Sequence, residues 1–541
     1  MPAVLHNVGF SHARRPTGLC TLFLIAACSL AILFTNLGVY PLWGSEGRWA
    51  VIGKYMFESG DIFTPLLGKS VYWDKPLVSY WQILPFASLL GRVSELAARL
   101  PSALWACVML LLTYDLARRW LGRSSAPAAA AVLFTSCGFV FWGRNAQVEM
   151  TNAAMITLIL WYFFTRREGR GSAWIFVLAF LMGIGSNMKG LTALGAPVFC
   201  ILLTSIATHD WQWLPRPRTA LAAAAVFAAA FLLIPLASCL ASSSCGPLAL
   251  IWKENVVRFF QPFDHKASFF VYFYRIFDLG APWSVLLPLS LFTCFGHGRY
   301  HEGGVKNALL VSAGIFLFFT LSGSRRSYYL LPILPFTSIL LGDFIARFIR
   351  NELPPKTGLA VELTGILIGA SLMGPLAMFF IRPLLLPQSM SVLFPWAVVL
   401  AAGGAVMVLS FLRRYALGMV APVALVWLVF VFAVIPWASA QPGNIRSETA
   451  KLNAMDRPVG FLSSDDAKTV FYLERPYAVL PDIDKARVWA ERTGGVIVTD
   501  SNLPDLSWQA VIDEGRWKAF IMKKSSDYSE SSPPPQPGPA A

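Results

Sequence analysis

The sequence predicts an all-α polytopic membrane protein with a small α/β domain at its C-terminal end. Three observations carry that expectation. The 541 residues are 56% hydrophobic and only 14% charged, against roughly a quarter charged in soluble domains. Their mean hydropathy is +0.57. The apolar residues are gathered into runs near the ~20 needed to cross a ~30 Å hydrocarbon core as helices, whereas a transmembrane barrel would alternate apolar and polar positions.

About thirteen spans are expected, near 18–38, 96–117, 125–143, 150–165, 172–188, 190–208, 219–240, 276–296, 307–323, 328–346, 358–381, 392–412 and 417–438. The first run follows Arg14 and Arg15 as a signal peptide would. It has no small-residue cleavage site and reads as a retained anchor. Short connections carry Arg118, Arg119 and Arg123, then Arg166, Arg167 and Arg170, then Arg216 and Arg218, with Arg299, Lys306, Arg347, Arg350, Lys356, Arg413 and Arg414 further on. The positive-inside rule places these loops and the N-terminus in the cytoplasm, and an odd number of spans then puts the C-terminal segment outside. The formal charge of +14 is spread through these loops, unlike the single basic face of a nucleic-acid binder. Most of the eight cysteines fall in apolar runs; only Cys239 and Cys245 lie close enough to the outer surface to suggest a disulfide.

Domain 1–438 is the membrane part, with long outer loops at 39–95 and 241–275. In the first loop, Glu46–Ser59 and 76–90 read as helices lying in the interface. From 439 to 524, strand-like runs at Val459–Leu462, Tyr477–Leu480, 496–498 and 519–522 alternate with helical stretches at 465–474 and 483–493. The Ser- and Pro-rich segment 525–541 reads as a disordered tail.

On the outer side, where basic residues should be sparse, stand Arg48, Lys54, Lys69, Lys75, Lys189, Arg258, Lys266, Arg325 and Arg326. Snorkelling toward lipid headgroups accounts for some of them. A lipid phosphate held at the surface accounts for the rest, because Lys and Arg donate charged hydrogen bonds to phosphate oxygens. No Gly-x-x-x-x-Gly-Lys-Ser/Thr loop is present, so neither a nucleotide nor a nucleotide sugar is expected as a partner.

The first outer loop contains Glu46, Arg48 and Trp49, then Met56, Ser59, Gly60 and Asp61, then Tyr72-Trp73-Asp74-Lys75-Pro76. In this order and register it resembles the ArnT-like glycosyltransferases, aminoarabinose transferases of lipid A in the GT-C group that also holds the protein O-mannosyltransferases. The resemblance continues through Arg144-Asn145-Ala146-Gln147-Val148-Glu149, Gly183, Gly185, Lys189 and Gly190, Arg258-Phe259 with Asp264-His265-Lys266, and Arg325, Tyr329, Leu331 and Pro332. It covers about residues 20–345. Two positions depart from the family pattern: Ser45 replaces the first acid of a pair, and Asn255 stands where the aminoarabinose enzymes would carry histidine.

The resemblance implies a GT-C fold and inverting transfer of a sugar from a polyprenyl (undecaprenyl) phosphate carrier to a lipid A-like or other lipid or glycan acceptor. Such chemistry needs a base for the acceptor and positive charge on the departing phosphate. Glu46 is the candidate base and Glu149 the second acid, although Glu46 could simply stabilise a helix N-terminus and Glu149 simply pair with Arg144. Lys75, Arg258, Arg325 and Tyr329 are candidates for the carrier phosphate, with Lys189 beside them. Arg48, Asp61 and Asp74 belong to the acceptor-side loop. No cofactor is required for this chemistry, but Asp74 and His265 are chemically suited to a divalent metal. A lipid or glycolipid flippase is the rival from another class, and an O-antigen ligase or polymerase the rival within glycan chemistry. A flippase would place ionisable groups at the bilayer midplane in paired halves, and no paired halves are evident.

Overall fold

The computed structural model describes residues 18–68, 70–168, 171–257, 267–381, 388–500, 503, 508–513 and 518–522. Arg258, His265 and the tail 525–541 lie outside the described residues. The chain forms two compact units: Met1–Leu37 with Trp73–Ile83 and Arg99–Ile435, and Gly38–Tyr72 with Leu84–Ala98 and Pro436–Ala541. The long loop expected at 39–95 is therefore divided between them.

The first unit is helical and makes the protein a multi-pass membrane protein. Among the described residues, seven helices are long and apolar enough to cross a bilayer, or nine if the bent pairs Ala126–Thr135 with Cys137–Gly143 and Val271–Gly280 with Trp283–Gly296 each count as one span. The expectation of about thirteen exceeds what length and composition show for these helices. The other four expected segments are also helices, but Cys20–Phe34, Ala173–Lys189 and Thr192–Thr208 are shorter, and Glu149–Arg166 begins on an acid.

Burial separates inner helices from peripheral ones. The most apolar window of Ser327–Ile349 is 94% buried, while those of Pro217–Ser242 and Pro355–Phe380 are 17% and 11% buried. Apolar side chains left open on a membrane helix face lipid, which solvates them as well as protein does. Leu334–Ile349 packs closely on Ala126–Thr135. A Cβ at Gly342 would lie 2.4 Å from the backbone nitrogen of Ala129, the kind of backbone approach that small residues permit. Trp283 is fully buried, and its indole N–H donates to Thr135 Oγ1 at 2.8 Å, removing the cost of a buried unsatisfied donor.

The second unit contains a short hairpin, β1 (Leu66–Leu67) and β2 (Ser70–Val71), and a sheet of β3 (Val459–Leu462), β4 (Tyr477–Leu480), β5 (Val496–Thr499), β6 (Trp508–Ile512) and β7 (Lys518–Met522). The strand order is β4-β3-β5-β7-β6. β3 pairs in parallel with β4 and β5, while β7 is antiparallel to β5 and β6. Alternate residues of β5 enter different cores: Val496 and Val498 pack with Phe461 and Leu452, and Ile497 packs with Phe520 and Ala490. The sheet is thus covered on both faces, so its central strand reads as a continuous apolar run.

Helix Glu46–Ser59 belongs to this unit and lies against Ala467–Tyr472. A Cβ at Gly47 would come within 2.8 Å of the Lys468 backbone nitrogen, and Lys54 donates to the Phe471 carbonyl at 3.4 Å. The Tyr472 hydroxyl accepts from Leu42 N–H and donates to Glu95, at 2.8 and 2.9 Å. Burial, then the Glu95 charge, pushes this phenol well above its ordinary pKa. All described cysteines, Cys239 and Cys245 included, are free thiols, so the disulfide that those two suggested is not formed.

Replacing Gly342 by Val is expected to lower the thermal unfolding midpoint of detergent-purified protein, since forcing atoms into a packed contact typically costs about 1–3 kcal/mol. Gly296→Ala is the comparison, because nothing lies within 4 Å of its added Cβ. Equal midpoints for the two variants would show that the Gly342 contact does not limit packing.

Candidate functional site

The candidate site in the first unit is built around the turn between helices Ala173–Lys189 and Thr192–Thr208. The first helix ends at Gly190 with φ +100°, a backbone conformation that favours glycine. Its missing side chain also leaves room for Asn255, whose Oδ1 would lie 2.5 Å from an added Cβ. Asn255 Oδ1 accepts from Leu191 N–H at 2.6 Å, and its Nδ2 donates to the Ile251 carbonyl at 2.8 Å. On the preceding helical turn, Asn187 Nδ2 donates to the Ala230 and Phe231 carbonyls, both at 3.0 Å. Lys189 is fixed between these fastenings. It is ion-paired with buried Glu149, and its ammonium lies 4.5 Å from the Tyr329 ring centroid, within cation–π range.

The segment Trp73–Leu77 supplies the opposing group. Trp73 sits against Gly246, where an added Cβ would approach its indole nitrogen to 2.3 Å. Lys75 donates to the carbonyl of Asp74 at 3.0 Å and to its Oδ2 at 2.9 Å. A second carboxylate, Glu254, stands 3.6 Å from the same ammonium. Lys75, Asp74, Lys189, Asn255, Glu254 and Tyr329 line a cavity of about 270 Å³ whose remaining wall includes Phe231, Ile234, Leu250, Ile251, Phe318 and Phe319. A pocket with an apolar wall and a few charged groups suits a ligand with a greasy tail and an anionic head.

The structure therefore brings together Lys75, Asp74, Lys189 and Tyr329, with Glu149 joined to them through Lys189. Arg325 has other partners: its Nε and Nη2 donate to the Thr320 carbonyl and its Nη1 to that of Ala267, at 2.9 to 3.1 Å. It closes the end of helix Gly303–Leu321, as basic side chains often do at C-terminal carbonyls. Arg144, the alternative partner for Glu149, does the same for Gly18–Phe34 by donating to the Ile32, Leu33 and Thr35 carbonyls. Of the expected metal pair, Asp74 is bonded to Lys75 and His265 lies outside the described residues. Among the described residues, no three His, Cys, Asp or Glu side chains gather to hold an ion.

Glu46, Arg48 and Asp61 belong to the second unit. Glu46 is fully buried in the first turn of its helix, and its Oε2 accepts from Trp43 N–H at 3.0 Å. Arg48 donates to the Tyr72 hydroxyl at 2.9 Å and to Ser45 Oγ at 3.1 Å. Asp61 accepts from the backbone N–H groups of Phe63 and Thr64, which makes it the turn that follows the helix.

Sequence reasoning missed Glu254 as a partner of Lys75, and it missed the bracing role of Asn187. The available signals were an acid beside Lys253 and Asn255 and an amide two residues before Lys189.

Residues 74–235, which include Lys75, Glu149 and Lys189, match the dolichyl-phosphate-mannose-protein mannosyltransferase family. Undecaprenyl phosphate-alpha-4-amino-4-deoxy-L-arabinose arabinosyl transferase of Edwardsiella ictaluri is 29% identical over 63% of this chain and 62% of its own length. A counterpart from Pseudomonas fluorescens is 28% identical over 64% and 63%. The matches thus span less than two thirds of the length of these relatives. Among solved structures, ArnT from Cupriavidus metallidurans bound to undecaprenyl phosphate superposes with a TM-score of 0.72 at 21% identity, covering 94% of this chain and 98% of that one. The chain resembles these arabinosyl transferases in sequence and shares the ArnT fold. The oligosaccharyltransferase of Archaeoglobus fulgidus, with a TM-score of 0.50 at 13% identity over 89% of this chain and 69% of its own, is a more distant likeness. The structural likeness extends beyond residue 345, where the sequence resemblance weakens.

Glu149→Gln is expected to lower the thermal unfolding midpoint sharply, because it leaves Lys189 buried without its counter-charge, at a typical cost of about 3–5 kcal/mol. Adding Lys189→Met should recover most of that loss. A double variant as unstable as Glu149→Gln alone would show that the pair is not what holds this turn.

Proposed function

We propose that the protein is an inverting glycosyltransferase of the bacterial inner membrane. It takes a sugar from an undecaprenyl or related polyprenyl phosphate at the periplasmic face and delivers it to lipid A or another envelope acceptor. The observation that carries this reading is the apolar cavity whose charged corner holds Lys75, Lys189 and Tyr329. A polyprenyl phosphate is an anion on a long hydrocarbon, and that pairing matches the wall and the corner. The names of the relatives and the ligand of the Cupriavidus structure support the same donor class.

In this reading the acceptor oxygen attacks the anomeric carbon from the face opposite the phosphate. The bond from that carbon to the phosphate oxygen breaks, and the sugar's configuration inverts. The phosphate leaves with the electron pair, and the lysine ammonium groups with the Tyr329 hydroxyl stabilise its charge in a poorly solvated place. The acceptor proton passes to a carboxylate, for which Glu46 is the candidate. Glu149 instead holds Lys189 in position. The N-terminus lies in the cytoplasm and the C-terminal unit in the periplasm, as the loop charges direct.

Undecaprenyl phosphate titrated into nanodisc-embedded protein tests the site. Lys75→Gln should weaken binding about ten- to a hundredfold, the equivalent of losing one charge-assisted contact. Arg325→Gln should lower thermal stability with a much smaller change in affinity, because its guanidinium is occupied by carbonyls. Glu46→Gln should retain donor affinity and lose about 10²–10⁴ in turnover. Wild-type affinity in Lys75→Gln removes this lysine from the phosphate site, and labelled lipid crossing vesicles without sugar transfer would replace the enzyme reading with a flippase.

Orientation is tested separately in a cysteine-free background. A cysteine placed at Glu491 should react with an impermeant thiol reagent applied to intact spheroplasts, and one at Gln212 should react only after lysis. The reverse pattern would put the C-terminal unit in the cytoplasm.

A further inference from the structure

Glu46, the candidate base, is held in place by contacts that originate at the far end of the chain. Its N–H donates to the Trp43 carbonyl at 3.1 Å, and its Oε2 accepts from Trp43 N–H at 3.0 Å. Gly44, inside this turn, takes φ +55°, where glycine is favoured. The carboxylate is therefore aimed by residues 43–46, and that turn needs a fixed entry. Leu42 supplies it. This residue is 1% exposed, so its N–H requires a partner. The partner is the Tyr472 hydroxyl at 2.8 Å, 430 residues away in sequence.

Tyr472 is itself aimed. A phenol has one hydrogen to donate, and Tyr472 gives it to Glu95 at 2.9 Å, which turns an oxygen lone pair toward Leu42. Arg446 is ion-paired with Glu95, and its guanidinium carbon lies 5.7 Å from the Tyr472 ring centroid, so one arginine steadies both the acid and the ring. The Tyr472 carbonyl accepts from Asn453 Nδ2 at 3.0 Å. One turn earlier, Lys468 packs over the residue after the base: a Cβ at Gly47 would lie 2.7 Å from its Cγ. Leu42, Glu46, Glu95, Arg446 and Tyr472 all belong to the second unit.

We propose that Tyr472 is a positioning residue for Glu46. By holding Leu42 N–H it sets the turn from which the base is presented, and the C-terminal segment thereby takes part in the reaction. Tyr472 transfers no proton itself; it acts through the backbone of residues 42–46. The proposal rests on Glu46 being the base.

Tyr472→Phe tests it, because it removes one oxygen and keeps the ring. Wild type, Tyr472→Phe, Glu46→Gln and the double variant are compared in nanodiscs. Undecaprenyl phosphate is the binding probe, and undecaprenyl phosphate-alpha-4-amino-4-deoxy-L-arabinose with lipid A are the substrates. Tyr472→Phe should lower kcat about ten- to a hundredfold, the scale on which a small misplacement of a reacting group acts. Affinity for undecaprenyl phosphate should stay within about twofold of wild type. In the Glu46→Gln background the same substitution should cost little more, because residues that act as a unit are not additive. Hydrogen exchange gives a readout that does not depend on which sugar is carried: the peptide containing Leu42 and Trp43 should exchange about tenfold faster in Tyr472→Phe. Wild-type kcat in Tyr472→Phe overturns the proposal, as does a loss that multiplies with that of Glu46→Gln, a matching loss of undecaprenyl phosphate affinity, or unchanged exchange at Leu42. Wild-type kcat in Glu46→Gln would remove the base itself, and the positioning role would fall with it for that separate reason.

Discussion

A lysine in an apolar, membrane-embedded enclosure must be paired, and the cavity is organised around that constraint. An isolated ammonium there would be strongly disfavoured, whereas a paired one is tolerated at an energetic cost. Lys189 is consequently locked to Glu149 across two helices, and Lys75 to the acid that precedes it. Each pairing requires its surroundings to be fixed. Gly190 must lack a side chain for Asn255 to reach Leu191, and Gly246 must lack one for Trp73 to sit against it. The glycines, the bracing amides and the ion pairs form one arrangement that holds two cations ready without leaving either bare.

The same chemistry explains why these basic residues take different roles. An arginine fork satisfies several carbonyls at once, so Arg144 and Arg325 close helix ends that would otherwise leave acceptors unpaired in an apolar region. Lysine is a compact charge on a flexible stem. Both lysines of the cavity therefore remain suited to meeting a ligand that arrives and departs.

The membrane character and helix positions were legible because long apolar runs joined by charged connections are stable as little else than helices in a bilayer. The number of full-length spans was less so. A run such as Ala173–Lys189 is as apolar as a span but ends early at Gly190, and hydropathy does not register which short helices are completed by neighbours. Four of the five sheet strands were visible as apolar runs. Trp508–Ile512 was not, since only its ends are buried and its pairing with β7 is irregular between Ala510 and Ile512. In the candidate site, motif spacing marked Lys75, Lys189, Glu149 and Tyr329. It did not pair Glu149 with Lys189, 40 residues apart, or distinguish an arginine serving carbonyls from one serving phosphate. Glu254 gained significance only when folding placed it beside Lys75.

The second unit is assembled from chain pieces at both ends of the sequence, and this imposes an order on its biogenesis. Helix Glu46–Ser59 leaves the ribosome early, while its packing partner Ala467–Tyr472 follows roughly 400 residues later. At about 5–20 residues per second, the early helix waits some 20–80 seconds while the intervening membrane helices are made. Its Gly47 face and the buried acid Glu46 lack their final surroundings throughout that interval. The interfacial amphipathic character read from its sequence then gains a second use: a helix that can rest on the bilayer surface has a sheltered place to stay until the C-terminal segment reaches it.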